Sequence, residues 1–253
     1  MNNKAFDPFA QTITLTLSNN STLPVPLPDL NAYIIETVHL ALIYASQLGA
    51  TVLIIPMLLL LTPTAKARRP IFLLNLVSLI LNMIRLVLMS LYLVSAFSLP
   101  YAYFAADYSR VPSHDYANSV AAEMFTLMLL IAVEASLVLQ ARVVCLTLPK
   151  GQQRAILGVS AIVAGLAIGF RLALTIENVG AILHAADFSV RGQFLGSAAN
   201  ITVTVSIWVF CGLFVAKLLW SIRERRRMNM RALRAVKIVV VGGVQTMVIP
   251  GTF

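Results

Sequence analysis

The stretch A-R-R-P-I-F-L-L-N-L-V-S-L-I-L-N-M-I-R-L-V-L, residues 67–88, decides the fold. Two arginines precede Pro70, which suits the first turn of a helix because its missing N–H would be unpaired there anyway. An apolar run of membrane length then continues to about residue 97. Placing a charged side chain at mid-membrane costs about 2.5–3.5 kcal/mol of free energy, so the polar residues of this run need neighbouring helices to cover them. Their spacing places them on one helix face: Asn75, Ser78, Asn82 and Arg85.

The composition is that of a membrane protein. The 253 residues are 59% hydrophobic and 11% charged, with a mean hydropathy of +0.85. The formal net charge of +9 does not indicate nucleic acid as a partner, because nearly all basic residues stand at alternate ends of apolar segments. The sequence therefore predicts contact with a lipid bilayer.

Six apolar segments, each near the ~20 residues that span a bilayer core, predict an all-α membrane protein. We place them, after a polar tail of residues 1–33, at 34–61, 71–97, 122–148, 155–175, 197–222 and 235–253. The connecting loops 62–70, 149–154 and 223–234, with three flanking residues, hold 14 of the 19 Lys and Arg residues and one acid. By the positive-inside rule these loops are cytoplasmic, which makes the tail extracellular.

The amino-terminal tail has two recognisable features. Alternation at residues 12–17 predicts a short strand, and the prolines that follow at 24, 26 and 28 predict an extended spacer. Asn19 and Asn20 each begin an N-x-S/T sequon, so both are candidate glycosylation sites if the tail is extracellular.

Nothing in the sequence predicts an enzyme or a cofactor. The three histidines are far apart, and no zinc-protease, nucleophile-elbow or phosphate-loop motif occurs. Cys145 and Cys211 lie in or beside apolar runs, so we expect buried thiols and no disulfide framework. We therefore predict no catalytic residue, no bound metal and no cofactor.

Depths counted at ~1.5 Å per residue from the cytoplasmic helix ends group the polar residues into two layers. A layer at ~6–8 Å contains Asn75 and Gln140. A layer at ~16–21 Å contains Asn82, Arg85, Glu134 and Gln245. We expect Glu134 to pair with Arg85, because each is costly alone at that depth. The alternative is that these polar groups only hold the helices in register.

Other features leave two interpretations each. Small residues recur every fourth position at Ala41, Ala45 and Gly49, and again at 161, 165 and 169, which suits close helix contact within one bundle or between two copies. The last segment combines Gly242-Gly243 with Pro250, which predicts a moving hinge or a static kink. The basic 223–234 loop suits a lipid anchor or a docking surface for an acidic partner.

Four motifs, in this order and spacing, resemble the fungal α-factor-type mating pheromone receptors. They are R-R-P-I-F-L-L-N-L-V-S-L at 68–79, E-A-S-L-V-L-Q-A-R-V at 134–143, V-A-K-L-L-W-S-I-R-E-R-R-R at 215–227 and Q-T-M-V-I-P at 245–250. The resemblance covers about residues 66–253. It implies a seven-helix G-protein-coupled receptor of the plasma membrane that forms a homodimer, binds a secreted peptide pheromone outside and acts on a heterotrimeric G protein inside.

The resemblance also implies residue roles. By the resemblance, the transmembrane polar core and switch would comprise Asn75, Glu134, Gln140, Gln245 and Pro250. The polar face and the depth count add Asn82 and Arg85 to this set. The outer peptide cavity would be lined by Ser119, Glu123, Thr126 and Ser197, whose residue types differ from those expected in the family. The G-protein-facing loop would present Arg223, Arg225, Arg226 and Arg227.

The chain also departs from the family in length, because it ends three residues after Pro250, inside the sixth apolar segment. Compared with a seven-helix receptor it is expected to be truncated. An alternative function is therefore a non-signalling receptor form that acts by dimerisation. A polytopic transporter is a further alternative, although no internal repeat relates the two halves.

The charge alternation predicts orientation. A tag at Asn20 should be accessible on intact cells, whereas a tag in the 223–234 loop should be accessible only after permeabilisation, because basic loops stay in the cytosol. Antibody labelling with and without detergent measures both. Labelling of the 223–234 loop on intact cells would overturn this topology.

Overall fold

A computed structural model describes residue 7 and residues 11–18, 20–63, 69–146, 149–184 and 190–227. The long helices within these ranges are α1 (Leu27–Leu61), α2 (Pro70–Leu93), α4 (Ser113–Cys145), α5 (Lys150–His184) and α6 (Val190–Arg227). A 3-10 turn (Ala96–Ser98) and a short helix α3 (Pro100–Ala105) lie between α2 and α4.

The five long helices are long and apolar enough to cross a membrane, with α6 qualifying over Val190–Trp220. The predicted all-α membrane class is therefore confirmed. The sixth predicted segment, 235–253, lies outside the described residues.

A β-hairpin precedes the first helix. Strand β1 (Thr12–Thr16) pairs antiparallel with strand β2 (Thr22–Pro26), in a register that sets Leu15 opposite Leu23. The predicted strand at residues 12–17 is confirmed over Thr12–Thr16. The segment predicted as a spacer is extended at Pro24 and Pro26 but is paired as β2, and Pro28 already lies in α1. Both strands of a two-stranded sheet are edge strands, and edge strands tolerate proline.

The helices are longer than the apolar segments predicted for them. α1 begins at Leu27 and not at residue 34, with Pro28 and Asp29 in a first turn that suits both residue types. α4 begins nine residues before the predicted start, and α5 ends nine residues after the predicted end. A 35-residue helix is ~52 Å long, whereas the hydrocarbon core is ~30 Å thick. Hydropathy therefore marks only the part of each helix that lies in lipid.

α2 is the exception, because it ends at Leu93 and not at residue 97. The Ser95 hydroxyl donates to the Tyr92 carbonyl at 2.7 Å, and the buried Asp115 carboxylate accepts a hydrogen bond from the Ala96 N–H at 2.9 Å. Both bonds satisfy backbone groups that a helix end leaves unpaired. These side chains therefore stabilise a turn where hydropathy alone predicts more helix.

The described residues fall into two compact units. The first takes residues within 1–67, 76–128 and 179–187, and its buried apolar side chains include Leu86 and Leu127. The second takes residues within 68–75, 129–178 and 188–253, with Cys145 and Phe210 among its buried side chains. α2 and α4 each contribute to both units.

The packing of α6 predicts a difference between two phenylalanines. Phe210 is 0% exposed and Phe194 is 69% exposed. Phe210→Ala should lower the free energy of unfolding by about 3 kcal/mol, because it leaves a cavity in a packed core, and Phe194→Ala should change it by less than about 0.5 kcal/mol. Denaturant titration of the purified chain in detergent measures both. Equal losses would contradict the packing described for α6.

Candidate ligand and signalling site

Aromatic side chains cluster in the first unit, in segments that the charge pattern assigns to the outside. The Tyr33 hydroxyl donates to the Ser98 carbonyl at 2.7 Å, which ties α1 to the turn after α2. The Tyr33 ring lies 4.4 Å from the Tyr103 ring and 5.9 Å from the Phe104 ring, measured between centroids. Tyr103 is exposed, so this group presents an aromatic surface with a hydroxyl tip.

Phe97 forms a second aromatic group with rings before and within α4. Its ring lies 4.8 Å from the Tyr116 ring in an edge-on arrangement and 5.7 Å from the Tyr108 ring. We call the two groups together the outer aromatic cluster, comprising Tyr33, Phe97, Tyr103, Phe104, Tyr108 and Tyr116. Tyr103 is exposed and the other five are half-buried. Aromatic rings that are accessible at a surface are typical anchors for peptide side chains.

A negative charge lies beside this cluster. The Asp107 carboxylate accepts hydrogen bonds from the Ser109 hydroxyl at 2.6 Å and from the Ser109 backbone N–H at 3.1 Å. These bonds hold the pKa of Asp107 below its usual range. The Tyr101 hydroxyl also donates to Asp107, at 3.4 Å. The outer segment therefore combines aromatic surface with a stable anion, which favours a ligand carrying a cationic group.

Three of the predicted peptide-binding residues, Ser119, Glu123 and Thr126, follow one face of α4 in the first unit. Ser119 is buried, and its hydroxyl donates to the Asp115 carbonyl at 2.9 Å. Glu123 is half-buried. The fourth predicted residue, Ser197, is exposed on α6 and belongs to the second unit.

Arg85, a predicted switch residue, forms a hydrogen bond with Thr126, a predicted ligand residue. Its Nε donates to the Thr126 Oγ1 at 3.0 Å, while the Thr126 hydroxyl itself donates to the Ala122 carbonyl at 2.7 Å. One turn away along α2, the Asn82 amide donates to the buried Thr51 hydroxyl of α1 at 3.1 Å. The polar face of α2 therefore bonds to α1 and α4 within the first unit.

The second unit contains its own polar contacts. The Ser136 hydroxyl donates to the Asn75 side-chain oxygen at 2.6 Å and accepts from the Gln140 amide at 3.0 Å. Glu134 is 1% exposed, and its carboxylate accepts a hydrogen bond at 2.8 Å from Ser206, which is 0% exposed. The pairing of Glu134 with Arg85 stays a prediction.

Several predicted site residues lie at the limits of the described structure. Arg223 is exposed near the end of α6, which also includes residues 225–227. Asn20 is exposed at the hairpin turn with a φ of 61°, the left-handed region that asparagine tolerates. Asn19, Gln245 and Pro250 lie outside the described residues.

The two series of small residues that recur at every fourth position are both exposed. Ala41, Ala45 and Gly49 of α1 are exposed, and so are residues 161, 165 and 169 of α5. A Cβ built on Gly49 meets nothing within 4 Å. Among the described residues neither series is covered by a neighbouring helix, so both interpretations stay open.

The sequence did not single out Thr51, Ser136 or Ser206, although each is buried and bonds a predicted core residue. Isolated hydroxyls are common in apolar helices because they bond the preceding turn, as Thr51 bonds the Gln47 carbonyl. Their spacing gives no signal of a partner on another helix. Only the packing identifies the second bond.

Within the described ranges, no group of three or more His, Cys, Asp and Glu side chains could hold a metal ion. Cys145, which is buried, and Cys211, which is half-buried, are free thiols.

Comparison with known proteins matches residues 6–253 to the model of one family, described as "Fungal pheromone mating factor STE2 GPCR". The chain is 22% identical over 250 residues to a pheromone alpha factor receptor of Lachancea kluyveri and 26% identical over 250 residues to one of Saccharomyces cerevisiae. Each alignment covers 97% of this chain, but 57% and 56% of those receptors. The chain thus spans a little over half the length of the curated relatives it matches.

The bond between Arg85 and Thr126 predicts energetic coupling. Arg85→Met and Thr126→Val should each lower stability, and the double variant should lose about 1 kcal/mol less than the summed losses, because the two side chains share one bond. The control replaces Thr204, which is exposed and bonds only the Asn200 carbonyl of its own helix. Arg85→Met with Thr204→Val should be additive within about 0.3 kcal/mol. Unfolding in detergent measures the stability of the three single and two double variants, and additivity of the Arg85 and Thr126 changes would refute the bond.

Proposed function

The chain belongs to the fungal pheromone mating factor receptor family, and from that membership we propose that it binds a secreted peptide pheromone and activates a heterotrimeric G protein. The relatives found are named pheromone alpha factor receptors. We therefore propose a ligand of the same class, received at the extracellular face of a plasma-membrane receptor. Membership of a receptor family leaves the transporter alternative without support.

The observation that carries the proposal is the hydrogen bond between Arg85 and Thr126. Thr126 lies on the α4 face proposed to line the peptide cavity, and Arg85 is the cation proposed for the intramembrane switch. A ligand that displaces Thr126 would break this hydrogen bond of Arg85. Loss of a hydrogen bond from an intramembrane charge is costly, so a new arrangement of α2 against α4 that replaces the bond would follow.

The outer aromatic cluster is the proposed docking surface for the peptide. The rings of Tyr33 and Tyr103 bury large apolar area at small entropic cost, because each has only two rotatable side-chain bonds. Asp107, held in its charged form beside Tyr101, would pair with a basic residue or an amino terminus of the peptide. These features suit a short peptide with aromatic or aliphatic anchors and a positive charge.

The cytoplasmic end of α6 is the proposed contact for the G protein. Arg223 is exposed there, and the sequence adds three further arginines at positions 225–227. A dense basic surface favours an acidic partner and accelerates its association. We propose that these four arginines face the G protein.

A second candidate function rests on the exposed series of small residues Ala41, Ala45 and Gly49 in α1. Small residues exposed at this spacing let two membrane helices approach closely, which favours a homodimer. In this form the chain would act by dimerising with a full-length receptor without signalling itself. Co-expression separates the two functions, since only a dimerising, non-signalling form would reduce the response of a signalling receptor.

Peptide binding tests the first function directly. Cells that lack another pheromone receptor should bind a fluorescent alpha-factor-class peptide saturably when they express this chain. Tyr103→Ala should weaken binding about tenfold, because an aromatic anchor contributes at least ~1–2 kcal/mol. Trp208→Ala, an exposed aromatic on α6, should leave the affinity unchanged. Equal weakening by the two changes would reject the outer aromatic cluster as the docking surface.

G-protein coupling through the basic end of α6 is tested in a full-length receptor that contains this chain. Replacing Arg223 and residues 225–227 with Ala should reduce G-protein activation several-fold while leaving peptide affinity nearly unchanged, because the charge is removed only from the inner end. The matched control replaces Lys150 and Arg154 at the start of α5. Normal signalling at normal surface expression would show that the α6 arginines serve only as a lipid anchor.

A further inference from the structure

A half-open cavity of about 340 Å³ lies in the second unit, between the end of α4, the first turns of α5 and the last turns of α6. Its walls include Cys145 of α4, Ile156 of α5, and Leu213, Lys217 and Trp220 of α6. The proposed peptide and G-protein contacts include none of these residues. Its size lies within the range of small-molecule sites in proteins.

The walls of this cavity are almost wholly apolar. The lining includes Cys145, which is 1% exposed, and Trp220, which is 60% exposed. All three helices are long and apolar enough to cross a membrane, so the exposed Trp220 would face lipid. Trp is enriched at the level of the lipid headgroups, which places this cavity at the edge of the hydrocarbon. An apolar cavity there suits an acyl chain.

Positive charge surrounds the same helix ends. Lys217 lines the cavity, and because the walls are apolar it contributes chiefly its aliphatic stem. A lysine stem along apolar surface lets the ammonium reach the headgroup layer. Lys217 stands six residues before Arg223, or ~9 Å along α6, which is within reach of that layer. Residues 139–160 contain Arg142, Lys150 and Arg154 and no acid.

We propose that this cavity binds one acyl chain of an anionic glycerophospholipid of the cytoplasmic leaflet, with the Lys217 ammonium on the lipid phosphate. Basic pockets between membrane helices on the cytoplasmic side are where anionic headgroups bind. The cavity supplies the apolar part and Lys217 the charge, so a phospholipid uses both. This lipid site goes beyond the proposed receptor function, and it rests on the topology in which this end of α5 is cytoplasmic.

The site should distinguish lipids by headgroup charge. One lysine near an anionic surface favours a negatively charged lipid about fivefold over a neutral one. Native mass spectrometry of the purified 253-residue chain, given equal amounts of phosphatidylserine and phosphatidylcholine with identical acyl chains, counts the lipids retained. We expect one phosphatidylserine per chain to be retained about fivefold more than phosphatidylcholine. Glycerophosphoserine, which has the headgroup and no acyl chain, should not compete.

Two variants separate the charge from the cavity. Lys217→Gln should abolish the preference for phosphatidylserine while one lipid of either kind is still retained, and Lys217→Arg should keep the preference. Ala216→Leu, which places a larger side chain in the cavity wall, should reduce retention of both lipids. The controls are Arg142→Gln, which removes a nearby exposed charge outside the cavity, and Ala161→Leu, which enlarges an exposed residue of α5. Neither control should change retention.

Far-ultraviolet circular dichroism of every variant verifies that its helices are retained. Three results would overturn the proposal. The first is equal retention of the two lipids by the unaltered chain. The second is an equal loss of preference in Lys217→Gln and Arg142→Gln, which would indicate only a diffuse basic surface. The third is competition by glycerophosphoserine, which would indicate a water-soluble anion and no acyl chain in the cavity.

Discussion

The structure depends on one constraint, which is that polar groups surrounded by hydrocarbon must find their partners inside the protein. Within the described residues, the hydroxyls of Thr51, Thr126 and Ser206 meet that need on three different helices. Each hydroxyl bonds an amide, a guanidinium or a carboxylate that would otherwise be costly to bury. Thr51 and Thr126 can do so because a hydroxyl that donates to a carbonyl of its own helix can still accept a second bond.

Much of the fold follows from the sequence by this same physics. The apolar segments and the one-sided polar stripe of α2 predicted spanning helices with a polar interior, and the described residues form five such helices. The helix ends could not be predicted equally well. Hydropathy reports the boundary of the hydrocarbon, whereas the end of α2 depends on Asp115, which bonds the Ala96 N–H from 19 residues further along the chain. Such contacts are set by tertiary packing.

The partners of the polar residues were predicted less well than the residues themselves. Counting helical rise assigned Asn75 and Gln140 to a common depth, and both bond the Ser136 hydroxyl. It could not identify Ser136, because rise gives depth but not the rotation of one helix against the next. Arg85 illustrates the same limit. Its pairing with Glu134, suggested by opposite charge, stays a prediction, and depth alone could not identify its hydrogen bond to Thr126, on the same helix as Glu134.

The bond between the Arg85 guanidinium and a hydroxyl matters for a proposed switch. An ion pair buried in lipid is costly to break, because each partner is left as an uncompensated charge. A bond from Arg85 to a hydroxyl costs less to exchange, since the Thr126 hydroxyl keeps its bond to the Ala122 carbonyl when the guanidinium leaves. α4 carries Thr126 in the first unit and Glu134 in the second as one unbroken helix. A ligand that acts on Thr126 would therefore act on the helix that also carries Glu134.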